Sequence, residues 1–195
     1  VCSNYAPKLQ RRFEDNEALY SALLGGREEA QRLLERLVRE LNAYKKKKGW
    51  RFAERIHGDP VFTNALLNNQ GEIKLVDPRG MIGGKCDVAG DRNYDYSKVL
   101  QSLYGYDYVI SDNDSEEAGN KAYLEGLRDE FWNFLEEKGY LGGEEREEEI
   151  MDAKRALKLL TASHFFAIVP LHQNRDHQMQ FLAKAKGLFS EAVKD

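Results

Sequence analysis

The chain has 195 residues, of which 42% are hydrophobic and 32% charged, enough for a folded core in a single domain and too apolar for disorder. A formal net charge of -4 argues against non-specific binding to nucleic acid or to an anionic membrane, and no run of 18 apolar residues offers a transmembrane helix. Two cysteines, Cys2 and Cys86, cannot make a disulfide framework, so a reducing, cytoplasmic compartment is expected.

The chain opens at Val1 with no initiator Met and no basic-then-apolar leader, which reads as a piece of a longer product. Leu9, Phe13, Leu19 and Leu23 recur near the helical period and predict a helix from Pro7 to about Leu24, ended by Gly25-Gly26. A second helix is expected from about Arg27 to Tyr44, with Leu33, Leu34, Leu37, Val38 and Leu41 on one face and charge on the other. Lys45 to Lys48 suit the negative end of that helix. The period then shortens. Ala65-Leu66-Leu67 and Ile73-Lys74-Leu75-Val76 flank Asn68-Asn69-Gln70-Gly71, which predicts a β-hairpin with a four-residue loop. Further helices are expected over Asp95 to Tyr104, Ala118 to Lys138, Glu144 to Ala167 and Asp176 to Val193, with Pro170 interrupting between the last two. The expected class is mainly α (α+β): a helical bundle with one small β-hairpin. Residues 1–50 form a helical lead-in, 51–98 the loops and hairpin, and 99–195 a helical subdomain.

The residues able to carry chemistry lie in His57-Gly58-Asp59-Pro60-Val61-Phe62-Thr63-Asn64 and Lys74-Leu75-Val76-Asp77-Pro78-Arg79-Gly80. A carboxylate and a carboxamide sit five residues apart in a loop entering the hairpin. A second carboxylate lies thirteen residues beyond the Asn, at the end of the far strand. Two oxygen ligands at adjacent hairpin ends can hold a hard octahedral cation such as Mg2+, completed by phosphate oxygens and water. A separate Asp in the same loop can accept the proton of an attacking hydroxyl, and together these are the groups that phosphoryl transfer requires. Taken singly, Asp59 in a Gly-Asp-Pro turn and Asp77 before Pro78 are ordinary turn and strand-end residues; the joint spacing carries the reading.

The arrangement resembles the aminoglycoside phosphotransferase and choline kinase-like superfamily, relatives of the protein kinases. His57-Gly58-Asp59 and Asn64 match its H-G-D-x-x-x-x-N loop, Leu75-Val76-Asp77 its metal segment, and Gly90-Asp91-Arg92-Asn93-Tyr94-Asp95 its G-D-x-x-x-D element before a helix. The resemblance covers residues 30 to 190 or so, the C-terminal lobe. It implies that Asp59 is the catalytic base or hydroxyl-orienting group and that Asn64 and Asp77 ligate Mg2+. It also implies that ATP is the co-substrate, that His57 holds the loop and that Asp95 braces it. Arg79 departs from the protein-kinase Asp-Phe-Gly pattern and is open between a phosphate and an internal carboxylate. Asp77-Pro78-Arg79-Gly80 and the run from Gly90 to Asp107 are similar to phosphotransferase domains attached to sugar-nucleotidyltransferase-like proteins of capsular polysaccharide pathways. That likeness implies a sugar or small alcohol as the hydroxyl acceptor.

Tyr106 and Asp107 are candidate acceptor contacts, since the tyrosines at 94, 96, 104, 106 and 108 and the acidic segment 112–117 follow the metal region. The three histidines His164, His172 and His177 lack cysteines nearby and are poor zinc ligands by spacing, and Gly83-Gly84-Lys85 lacks the rest of a P-loop. Enzymes of this kind carry an N-terminal lobe of about a hundred residues with a glycine-containing cover over ATP and a phosphate-pairing lysine. Only 56 residues precede His57 here, and they read as helices. The nucleotide lobe is therefore expected from the parent chain or a partner chain, and the alternative is a non-catalytic kinase-like binding module that lacks it.

Overall fold

The computed structural model describes residues 4–47, 49–82, 85–86, 88–113, 117–142 and 147–193. It is mainly helical. Helices α1 (Tyr5–Glu14), α2 (Glu17–Leu24) and α3 (Arg27–Lys46) lead into strands β1 (Phe52–Ala53), β2 (Ala65–Leu67), β3 (Ile73–Leu75), β4 (Met81–Ile82), β5 (Lys85–Cys86) and β6 (Gly90–Asp91). Helices α4 (Arg92–Leu103), α5 (Tyr106–Ile110), α6 (Ala118–Glu137), α7 (Glu147–Ile168) and α8 (Arg175–Ala192) follow. A 3-10 turn over Val169–Leu171, with Pro170 inside it, separates α7 from α8.

The expected first helix is two helices. Asn16 takes a non-helical conformation, and its amide donates back to the Arg12 carbonyl at 2.9 Å, offering the backbone an alternative to the next helical bond. Gly25, at φ +81°, then ends α2 in the left-handed conformation. The single expected hairpin is one of three antiparallel pairs among the described residues: β2 with β3, β1 with β6, and β4 with β5. The β2–β3 register sets Ala65 opposite Leu75 and Leu67 opposite Ile73, so the connection is five residues rather than four. Expectations for Gly83, Gly84, residues 114–116 and 144–146 fall outside the described residues.

Two cores meet on α7. One gathers α1, α2, α3, α7 and α8 around Tyr20, Leu37, Phe165, Phe166 and Phe181. The other joins Leu100 and Leu103 of α4, Leu135 of α6, Leu141 just beyond α6, and Leu157 of α7. From Leu159 to Ala167 every residue of α7 is buried, Thr161, Ser163 and His164 among them, so this half of the helix is covered on all sides, as a central helix is. Tyr20 stacks on Phe166 with ring centroids 4.6 Å apart and donates its hydroxyl to the Phe166 carbonyl at 2.8 Å, fixing α2 to α7.

Asp91 anchors α4 to the N-terminal helices. Its carboxylate is fully buried and accepts from the Tyr44 hydroxyl (2.7 Å), the Arg51 amide (2.9 Å), the Tyr5 hydroxyl (3.0 Å) and the Asn93 amide (3.1 Å). The last of these is an N-cap, so one side chain closes β6, starts α4 and receives α1 and α3. Gly90 beside it has no room for a side chain: a Cβ there would lie 2.1 Å from Ile56 Cδ1.

Candidate active site

The loop from Ile56 to Pro60 is shaped from two directions. Asp95, one turn into α4, accepts the His57 amide at 2.7 Å and the Gly58 amide at 2.8 Å, one on each carboxylate oxygen. Burial pushes the Asp95 carboxyl above its ordinary pKa, and the two amides oppose that shift. On the other side, the His57 carbonyl accepts the Arg79 amide at 2.8 Å. Gly58 sits at φ +82°, and a Cβ there would come within 2.9 Å of Arg79 Cβ, so only glycine lets the two segments approach so closely. His57 Nδ1 accepts the Asp59 amide at 3.3 Å, while its Nε2 is buried without a hydrogen-bond partner among the described residues.

Asn64 closes a single 3-10 turn and turns its side-chain amide back to the Asp59 carbonyl at 2.9 Å. The Asn64 carbonyl accepts the Val76 amide at 2.9 Å, which continues the β2–β3 ladder and brings Asp77 to the neighbouring hairpin end. Asp77 adopts φ +57°, a left-handed conformation that Asp tolerates better than most residues and that recurs at functional sites. Among the described residues, neither Asn64 Oδ1 nor the Asp77 carboxylate takes a hydrogen bond or an ion pair. Two unengaged oxygen donors at adjacent strand ends suit a hard cation whose remaining ligands are phosphate oxygens and water. No three His, Cys, Asp or Glu side chains converge among the described residues, so an all-protein metal cage is not built here.

Asp59 lies at the centre, half-buried. Arg79 Nη2 reaches Oδ2 at 2.9 Å, and Lys98 Nζ, projecting from α4, stands 3.0 Å from Oδ1, off the axis of a good hydrogen bond. Arg79 thus meets an internal carboxylate. Burial would raise the Asp59 carboxyl, but the Lys98 ammonium and Arg79 guanidinium outweigh it and hold the group below its ordinary pKa. Lys98 is 4% exposed and also donates to Gln101 Oε1 at 2.9 Å. Its own pKa is lowered by burial, and the Asp59 carboxylate works against that. Lys8 approaches from α1, with Nζ 3.5 Å from the Tyr94 hydroxyl; burial, then Arg79 and Arg12, lower its pKa to about 8.

The predicted acceptor residues border this loop. Asp107 Oδ1 accepts the Thr63 amide at 2.9 Å, and its Oδ2 is buried with no hydrogen-bond partner among the described residues. Burial raises the Tyr106 hydroxyl above its ordinary value, with the Asp59 and Asp107 carboxylates adding to the shift. The other tyrosines disperse: Tyr96 stacks on Tyr140 at 5.8 Å, and Tyr104 lies under the Arg128 guanidinium at 4.6 Å. His164 is buried against Ser97 Oγ at 2.8 Å, and His177 pairs with Asp112 at 2.8 Å. The hairpin beside the site is bare. Leu67 and Ile73 are 71% and 68% exposed, and Leu66, Leu75 and Val76 are exposed with them.

The sequence reading missed Lys98, Lys8 and the anchoring role of Asp91. No sequence signal marks Lys98; the structure alone shows that Asn93, Ser97, Lys98, Gln101 and Ser102 of α4 are all buried, a polar inner face where an apolar one is the rule. Comparison with known families, curated proteins and solved structures finds no match for this chain.

Proposed function

We propose that the chain is the C-terminal lobe of a protein-kinase-like, Mg2+-dependent phosphotransferase that moves the ATP γ-phosphate to a hydroxyl of a small molecule, a sugar or amino alcohol. The other half of its nucleotide pocket comes from an N-terminal lobe of the parent chain or a partner chain. One observation carries the reading: the Asp95 carboxylate receives the His57 and Gly58 amides, joining two sequence elements 37 and 38 residues apart into one site around Asp59.

In this reading the acceptor hydroxyl binds against Asp59, and Asp107 shapes the adjoining loop by accepting the Thr63 amide. Asp59 takes the hydroxyl proton as the new oxygen–phosphorus bond forms and the bond to the leaving diphosphate breaks. The low pKa of Asp59 keeps it ionised at neutral pH, which suits orientation of the nucleophile more than strong basicity. Asn64 and Asp77 would hold the divalent cation, which supplies charge neutralisation on the phosphate oxygens. The exposed apolar hairpin supports an incomplete pocket, since Leu67, Ile73 and Leu75 share one face and offer a floor that no described residue covers.

Calorimetric titration with ATP, with and without Mg2+, tests the nucleotide site, and transfer to a panel of polyols and amino alcohols tests the chemistry. Mg2+-dependent binding should be lost in Asp77→Ala. In the complete enzyme Asp59→Asn should leave binding nearly intact and lower turnover by roughly a hundredfold to ten-thousandfold. Near-normal turnover in Asp59→Asn would refute its role. The same bare hairpin, with both Asp59 oxygens engaged by cations, favours a second reading as a non-catalytic binding module. Absence of transfer by the lobe joined to its upstream segment would decide for that one.

A further inference from the structure

Two cations contact one carboxylate at the base of the site, and a third approaches from α1. Lys98 and Arg79 contact the two oxygens of Asp59 at 3.0 and 2.9 Å, and Lys8 comes from α1 to the Tyr94 hydroxyl at 3.5 Å. The three come from separate elements, and each is within electrostatic reach of the others and of Asp59. The neighbouring Asp95 carboxylate is committed to two backbone amides, and Asp77 acts on Arg79 from the exposed hairpin end. One half-buried carboxylate is therefore contacted by two positive groups, with Lys8 bound to the nearby Tyr94 hydroxyl and Lys98 almost wholly buried. Taking cations out of water without matching anions is unfavourable, and the imbalance is relieved when an anion enters.

We propose that Lys8, Arg79 and Lys98 form a seat for a phosphoryl dianion beside Asp59. The inference deepens the phosphotransfer reading and rests on it for the identity of the group. That group is the terminal phosphate of a nucleotide before transfer, or the phosphate of the product afterwards. The occupant displaces the Arg79 guanidinium from Asp59, freeing an oxygen for the acceptor hydroxyl. Arg79 is suited to that movement because its side chain is about half exposed, whereas Lys98 is fixed by Gln101.

The test is calorimetric titration of the full chain with inorganic phosphate at constant ionic strength, with no metal and no nucleotide present. Saturable one-to-one binding is expected. Lys8→Met and Lys98→Met should each weaken it by roughly tenfold to a hundredfold, the effect of deleting one charge-assisted hydrogen bond. Lys186→Met, exposed on α8, should leave it unchanged. Asp59→Asn should tighten binding, because it removes the anion that competes for the same cations; a site organised by Asp59 would weaken instead. Circular dichroism separates misfolding from lost affinity in Lys98→Met, and Lys98→Arg, which keeps the charge, should retain binding. Displacement of phosphate by metal-free ATP marks the nucleotide source, and displacement by glucose 6-phosphate the product source.

A wild-type chain that ignores phosphate, a Lys8→Met chain that binds it as well as wild type, or weaker binding in Asp59→Asn would each overturn the seat. Phosphate binding with this pattern in a complete enzyme that transfers nothing from ATP would keep the seat and sink the kinase reading. Transfer without phosphate binding would do the reverse.

Discussion

Replacing Asp95 by Asn tests whether the G-D-x-x-x-D element holds the catalytic loop. The substitution keeps size and shape but exchanges one acceptor oxygen for an amide donor. One of the His57 and Gly58 amides, now at 2.7 and 2.8 Å from separate oxygens, then faces an N–H group instead of an oxygen. A hydrogen bond to a charged group contributes about 1.5–3 kcal/mol, and a buried donor left unmade costs a similar amount. Because Asp95 is only half-buried, water softens the loss, and about 2–3 kcal/mol is expected. If the loss stays local, the two amides should exchange with solvent roughly 30- to 160-fold faster, which hydrogen exchange read by NMR resolves residue by residue. If it is global, the melting temperature should fall by about 4–12 °C. Unchanged exchange at both amides in a chain that melts like wild type would refute the bracing role and separate the helix element from the loop.

Asp91→Ala strips a buried acceptor from four donors and removes an N-cap; about 3–5 kcal/mol should be lost, lowering the melting temperature by about 6–20 °C, and a fall under about 2 °C would contradict the anchoring role. The Asp59 carboxyl is held below its ordinary value by Lys98 and Arg79 against its burial, so its ion pairs stabilise the fold above the ordinary carboxylate range and that contribution disappears as pH falls through it. The gap in melting temperature between wild type and Asp59→Asn at neutral pH should therefore narrow below about pH 5 and close as pH falls through the lowered Asp59 value, and a gap independent of pH would exclude the ion-pair explanation. Ile73→Asp, on the bare hairpin, should change stability by no more than about 0.5 kcal/mol yet weaken nucleotide affinity once the covering lobe is present. Equal affinity in calorimetry would remove the hairpin from the pocket.

The long helices were legible because their apolar spacing persists over several turns: Leu33, Leu34, Leu37 and Leu41 define α3 whatever it packs against. Short elements leave no such record. The β1–β6 and β4–β5 pairs are two residues long on each side, too brief for alternation, and β1–β6 is set by the buried Asp91 and by Ile56 pressing on Gly90. Helix α5 is five residues of mixed aromatic and acidic character after Gly105 at φ +90°, so its pattern is indistinguishable from the tyrosine-rich run that contains it. The break at Asn16 depends on one side-chain amide bonding back four residues, a choice that spacing does not disclose.

The site divides along the same line. Asp59, Asn64 and Asp77 could be named because their mutual spacing is local or fixed by a hairpin, whereas Asp95, some 37 residues beyond the loop it meets, is legible only through the resemblance of its G-D-x-x-x-D element. Lys98 could not, because a lysine inside a helical pattern is normally a solvent-facing residue whose stem covers the surface. Here Asp59, nearly forty residues earlier, supplies the counter-charge that lets Lys98 stay buried, and Lys98 in turn holds Asp59 ionised. Such a pair is costly to assemble and strongly destabilising to break on one side, so neither member is intelligible from its own neighbourhood in sequence. The buried polar face of α4 is the trace it leaves. On that face Lys98 meets the Asp59 carboxylate and is steadied by Gln101, Ser102 accepts the Phe62 amide, and Ser97 bonds His164, so the inward polar groups tie α4 both to the Asp59 loop and to α7.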